Sequence, residues 1–207
     1  MIIKSSLIEK DKSLFQKPLI LFYGQNYGLK EEFKKKIKSS FSKSTVNYLN
    51  QDEILKDQDN FFLNFLNISL FEDQKVFIIN QCNDKFLDLL KKIQSKIETQ
   101  KIFLFSDQLD KRSKLRSHFE KSKQDYCVPC YDDDELSIKR IILEQLRDYK
   151  GLNNEIVNML IDNSNFDRSK LNNELQKIKS FFIDRQIKRD ELEKVLNLKI
   201  TDNFEIV

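Results

Sequence analysis

Gly24, Gly28 and Lys30 stand close to where a chain that handles nucleotide phosphates keeps its glycines and its lysine. In the pattern G-x-x-x-x-G-K-[ST], bare backbone amides curl around phosphate oxygens, the lysine meets the terminal phosphates, and the hydroxyl holds magnesium. Laid on Gly24, the pattern puts Lys30 in the lysine position. The second glycine should then be residue 29, which is Leu29; Gly28 comes one place early, and Glu31 replaces the hydroxyl. A branched side chain obstructs the amide cradle, and a carboxylate repels phosphate. The other half of such a site is an apolar strand ending in Asp-Glu, which binds magnesium and orients water. The matching run, Val76-Phe77-Ile78-Ile79, ends in the neutral amides Asn80-Gln81. Gly24, Gly28 and Lys30 therefore mark a degenerate phosphate loop that is not expected to work, and no cofactor is expected.

Two other groupings point to chemistry less well. Cys127-Val128-Pro129-Cys130 has the C-x-x-C spacing of redox sites, but there the motif opens a helix whose N-terminus lowers the thiol pKa. Here β-favouring residues and a proline lead into Tyr131 and a run of acids. One such pair also lacks the second pair that a zinc site needs. The three cysteines, Cys82 included, suit reduced thiols. His118 has no neighbouring His or Cys to share a metal with. No catalytic residue and no metal site is expected.

These residues must be positioned by elements that the apolar patterning locates. Leu19–Tyr23, residues 45–49, Val76–Ile79, residues 102–105 and 126–128 read as five short strands, the central ones apolar throughout. Helical segments at about 29–40, 52–56, 58–67, 85–97 and 111–122 alternate with them, after a leading helix within 4–15. Continuous apolar strands alternating with helices imply an α/β domain with a parallel sheet covered on both faces. After Asp132-Asp133-Asp134-Glu135 the signal is all helix, with Leu171, Leu175, Ile178 and Phe182 at i, i+4, i+7 and i+11 and Asp167 as their N-cap. The expected division is an α/β domain over 1–134 and a small all-helical domain over 135–207.

Composition sets bounds on function. Of 207 residues, 40% are hydrophobic, enough for a sizeable core. A net charge of +3 argues against holding nucleic acid by bulk charge alone. No apolar run is long enough to span a membrane, and the first twenty residues lack the apolar centre of a signal peptide. A cytoplasmic protein with no membrane partner is expected. Lys111, Arg112, Lys114, Arg116, Lys121 and Lys123 form a basic stretch that suits either DNA or neighbouring subunits, or a solvated helix face.

With chemistry discounted, the stretch Asn67-Ile68-Ser69-Leu70-Phe71 stands out. An aromatic-rich helical segment (Phe61, Phe62, Phe65) runs into it, and Glu72-Asp73 follow before the strand at Val76. Two large apolar side chains at a helix-to-strand bend either cap the core or anchor a partner. The acids just beyond favour an exposed bend.

At this point the residues carry a likeness. Leu21-Phe22-Tyr23-Gly24-x-x-x-Gly28-Leu29, Ser69-Leu70-Phe71, Lys75–Asn80, Ser113-Lys114-Leu115-Arg116-x-x-Phe119-Glu120, Cys130-Tyr131-x-Asp133-Asp134-Glu135 and Leu171-x-x-Glu174-Leu175-x-Lys177-Ile178 occur in order across nearly the whole chain. Together they resemble the delta subunits of the bacterial DNA polymerase III clamp loader. The resemblance implies an AAA+-like, P-loop NTPase-type α/β domain followed by a helical lid. It also implies a non-catalytic role in DNA replication, within a holoenzyme that is a DNA-directed DNA polymerase. Its implied partners are the beta sliding clamp, the delta-prime and gamma/tau loader subunits, and DNA indirectly within the loader. In the family a Leu-Phe pair plugs a hydrophobic pocket on the clamp and helps open the ring. Here that pair is Leu70-Phe71, and Asn67, Ile68 and Ser69 complete a pentapeptide similar to Gln-Leu-Ser-Leu-Phe. Family members carry a third, collar domain, which this chain, stopping at Val207, is expected to lack; that puts pentamer assembly in question but not clamp binding. The competing expectation is an AAA+ ATPase with a divergent but working site.

Overall fold

The computed structural model describes residues 1–67 and 74–196. Two compact units make up the chain, Met1–Tyr131 and Asp132–Val207. The first is built on five parallel strands: β1 (Leu19–Tyr23), β2 (Thr45–Asn50), β3 (Lys75–Asn80), β4 (Lys101–Ser106) and β5 (Tyr126–Pro129), in the order β2-β3-β4-β1-β5. The fold is α/β, as the alternating pattern predicts.

The apolar strands are continuous because each face of the sheet is covered. Leu19, Leu21 and Tyr23 of β1 point into one core, with Phe77 and Ile79 of β3 and Ile102 and Leu104 of β4. The intervening Ile20, Phe22, Val76, Ile78, Phe103 and Phe105 fill the other. Helices α3 (Gln51–Lys56), α4 (Gln58–Leu66), α5 (Leu87–Gln94) and α6 (Lys114–Lys121) contribute to the first core. Helices α1 (Ser5–Lys10) and α2 (Tyr27–Ser40) contribute to the second.

The leading helix differs from expectation. It breaks after Lys10, where Asp11 turns extended and its carboxylate accepts from the Ser13 amide, and a 3-10 segment (Lys12–Gln16) follows. Such local side-chain bonding competes with helix continuation. Helix α6 likewise starts at Lys114 instead of 111, because Ser113 caps it through the Arg116 amide.

The second unit packs α7 (Glu135–Gln145), α8 (Asn154–Ser164), α9 (Arg168–Phe181) and α10 (Arg189–Val195) around Ile138, Ile142, Leu160, Leu171, Leu175, Ile178 and Leu192. Asp167 caps α9 through the amides of Ser169 and Lys170. Gly151 sits at φ +86°, where a Cβ would lie 2.3 Å from the Ile187 carbonyl oxygen, so no other residue fits without moving the backbone.

Candidate functional site

The sheet is parallel, so the C-terminal ends of all five strands lie together, and a nucleotide would be held there. Only Gly24, Gln25 and Asn26 separate β1 from α2. That connection is too short to wrap a phosphate, and Gly28 is spent inside the first turn of the helix. Gly24 adopts φ +138° and presses against the backbone of Cys130: a Cβ there would lie 2.1 Å from the carbonyl oxygen. The glycine serves a close backbone approach, not a ligand.

The amides of Gly24, Asn26, Leu29 and Lys30 already have partners, in the Asp107, Cys130 and Asn26 carbonyl oxygens and Asn26 Oδ1. Asn26, itself buried, caps α2 by accepting from the Leu29 amide at 2.9 Å, and its Nδ2 donates to the Tyr131 carbonyl at 3.0 Å. Lys30 is the sharpest difference from a working site. Its side chain is 7% exposed, and Nζ donates to the Ser106 carbonyl at 2.9 Å and to Asp107 Oδ1 at 3.1 Å. The ammonium thus ties α2 to the end of β4. At the tip of β3, Asn80 Nδ2 reaches back to the Leu49 carbonyl at 3.4 Å. Lys30→Ala is expected to lower the melting temperature, at about 1–3 kcal/mol for the buried carbonyl it abandons. It should alter no ATP turnover, and ATP turnover that this substitution abolished would establish the competing ATPase.

The elements around the expected partner-binding bend are well held. Helix α4 buries Phe61 and Phe65, whose rings lie 5.9 and 5.5 Å from that of Phe77. Gln100, buried, donates to the Phe65 carbonyl at 3.1 Å. The helix ends where Asn67 turns extended, its amide still donating to the Leu63 carbonyl at 3.0 Å. Leu63 and Leu66 on the same helix are 71% and 47% exposed. Ile68, Ser69, Leu70 and Phe71 lie outside the described residues.

The cysteine pair cannot act together. Cys127 belongs to one core and Cys130 to the other, on opposite faces of the sheet. Burial pushes the Cys127 thiol up to about 12, the reverse of a reactive thiolate. His118 Nε2 lies 3.1 Å from Gln94 Oε1, and burial lowers its pKa. Of the basic stretch, Arg116 is built in: it stacks on the Tyr23 ring, donates to the Leu109 carbonyl and pairs with Glu120 at 2.8 Å. Lys111, Arg112, Lys114, Lys121 and Lys123 are exposed.

Sequence reasoning missed Asn26, Asp107 and Asp84. An Asn just before a helix is a cap signal, so Asn26 was within reach. Asp84 carried no signal, because its partners are thirty residues away. Its carboxylate accepts from Ser113 Oγ at 2.6 Å and from the amides of Lys114 and Leu115 at 3.0 Å, filling the N-terminus of α6. Partial burial works against its charge, but those three donors outweigh it and hold the pKa below the ordinary carboxylate value. The stability Asp84 contributes is therefore present above the unfolded pKa of about 4 and is lost as pH falls through the lower folded value. Asp84→Asn should be less stable than wild type near neutral pH, with the gap closing in acid, as parallel acid-unfolding curves will show.

The sequence matches no family model and no curated protein. Solved structures are similar to it in fold. The clamp loader delta protein of Bacillus subtilis matches with a TM-score of 0.64 and 17% identity, over 92% of this chain and 61% of that one. The Holliday junction branch migration motor RuvB of Thermotoga maritima matches at 0.57 and 16%, over 93% and 68%. The AAA domain of FIGL-1 in complex with ADP matches at 0.51 and 13%, over 91% and 70%. This chain spans about three fifths of the clamp loader protein's length. The fold is the α/β fold of AAA+ proteins. No helix among the described residues is long and apolar enough to cross a membrane.

Proposed function

We propose that this chain is a clamp-binding, clamp-opening subunit of a DNA polymerase III clamp loader, of the delta type and without catalysis of its own. One observation carries the reading: an AAA+ fold whose phosphate loop is taken up by its own residues, with Lys30 held by Ser106 and Asp107 and the helix end capped by Asn26. A frame kept without its chemistry is kept for what it presents. The working part is the Leu70-Phe71 pair, preceded by Asn67, Ile68 and Ser69, which enters an apolar pocket on the sliding clamp. The likeness of the fold to a clamp loader delta protein supports this, as does the pentapeptide. The first unit is the clamp-binding AAA+-like domain and the second the lid.

Opening a ring requires more than affinity. The subunit must bind the open ring better than the closed one, by at least the free energy of opening. A rigid sheet behind α4 suits that task, because the anchor then transmits position instead of yielding. Delta-prime, gamma/tau and DNA within the loader are the further partners of this reading. Loss of clamp binding on replacing Leu70 and Phe71 by alanine, with the fold retained, is its test.

A further inference from the structure

The sheet has two edge strands, and the chain treats them differently. At β5 the edge is covered: the Cys127 amide donates to the Met1 carbonyl at 3.0 Å, the Cys127 carbonyl accepts from the Ile3 amide at 2.9 Å, and Pro129 ends the strand. At β2, among the described residues, no backbone group other than those of β3 pairs with the strand. A bare edge is a template for another strand, and proteins usually blunt it with lysine, proline or a bulge. Strand β2 has none of these. From Ser44 to Gln51 the sequence carries no charge, proline or glycine, and every residue of the strand stays in register with β3.

Two side chains show which backbone groups are open. Asn47 Nδ2 reaches the Val76 carbonyl and Asn80 Nδ2 the Leu49 carbonyl, each at 3.4 Å, so both carbonyls lie in the gap between β2 and β3. Successive residues of a strand turn their N–H and C=O groups to opposite sides. Asn47 and Leu49 therefore face β3, and Val46, Tyr48 and Asn50 face outward. The Asn50 amide is taken by the Glu53 carboxylate at 3.2 Å. What the edge offers is one N–H and one C=O at each of Val46 and Tyr48, beside a tyrosine side chain that is itself exposed.

We infer that this edge is completed by the β2 strand of a second copy of the chain, paired antiparallel about a two-fold axis at Asn47. That register sets Val46 opposite the partner's Tyr48 and Tyr48 opposite the partner's Val46. Each such pair exchanges two backbone hydrogen bonds, so every open group on both edges is satisfied. Moving the axis to Tyr48 would oppose Val46 to an Asn50 whose amide is already used. Val46 against Tyr48 is also a favourable cross-strand pair, β-branched on aromatic. Antiparallel order brings Lys43 of one copy toward Asp52 and Glu53 of the other, so the ends of the pairing carry opposite charges. Glu31, whose charge reaches Tyr48, is paired with Lys34 at 2.7 Å. The interface uses the same patch on both copies, so it closes at a dimer. One strand pair is smaller than a standard interface, which makes the dimer weak and concentration-dependent. The inference goes beyond the clamp-binding reading and does not depend on it.

The test is Asn47→Cys in the 207-residue chain, treated with a mild oxidant beside Thr45→Cys; the native cysteines are buried. At the centre of the pairing the two Cα atoms of residue 47 would lie about 4.5 Å apart, within disulfide reach. Residue 45 opposes residue 49 of the other copy, which leaves the two residues 45 roughly 13 Å apart. Asn47→Cys should form a covalent dimer at least about tenfold faster than Thr45→Cys, at a rate that rises with protein concentration. Adding Tyr48→Pro removes one outward amide, a change that edge strands tolerate, and should abolish the cross-link. Amide exchange in wild type needs no substitution: at Val46 and Tyr48 it should slow as concentration rises, and at Asn47 and Leu49 it should change less. Sedimentation equilibrium that finds a monomer at every concentration would overturn the inference. So would equal cross-linking at residues 45 and 47, or exchange at Val46 and Tyr48 that ignores concentration.

Discussion

Replacing Leu70 and Phe71 together by alanine should weaken binding to the sliding clamp by at least about a hundredfold while leaving the melting temperature unchanged. Burying a leucine and a phenylalanine stabilises a complex by roughly 4–6 kcal/mol before association costs are charged. A tenfold change in affinity corresponds to about 1.4 kcal/mol, so a hundredfold loss needs only about half of that. Anchors of this kind dominate modest interfaces, because the surrounding contacts mostly serve to exclude water. Phe61 and Phe65, buried against Phe77, hold α4 to the sheet. A clamp pull-down and a thermal melt on the same preparation separate the two roles. If the pair caps the core, the double variant melts several degrees lower; if binding survives, the anchor is elsewhere. Either result would sink the proposed mechanism.

The strands were readable because burial on both faces leaves no alternation to misread. Leu19–Tyr23 and Val76–Ile79 are apolar at every position, and they fill two cores in turn. Helix ends were less readable where a turn side chain decides them, as at Asp11 and Ser113. The defect of the phosphate loop was visible in Leu29, Glu31 and Asn80 as missing parts. What replaces those parts was not visible. Lys30 finds its acid 77 residues away at Asp107, and Gly24 meets Cys130 only because β5 pairs with β1. Long-range partners of single polar residues follow from topology, and a linear pattern of apolar residues does not encode them.

Arg168 gives the second large expected effect, in the helical unit. It is the first residue of α9, a poor place for a cation by the helix dipole alone. What keeps it there is Asp133: Nε donates to Oδ2 at 2.8 Å and Nη2 to Oδ1 at 2.6 Å, with side chains only 2% and 5% exposed. The two planar groups meet fork to fork, which lysine cannot reproduce. Arg168→Ala should cost about 3–5 kcal/mol, because it removes one side of a buried, hydrogen-bonded ion pair. For a chain of this size that corresponds to a fall in melting temperature of roughly 10 °C. Arg168→Lys should recover only part, since one ammonium cannot satisfy both oxygens. Removing both charges together, Asp133→Leu with Arg168→Met, should be milder than Arg168→Ala alone, because desolvating an ion pair offsets much of its attraction. A double variant as damaged as the sum of its singles would show that the pair is held for its other contacts and not for its mutual charge. Single-variant melts within a degree of wild type would show that water reaches the carboxylate after all. The pair joins the segment before α7 to the start of α9, so its loss should appear first as faster amide exchange at those two helix starts.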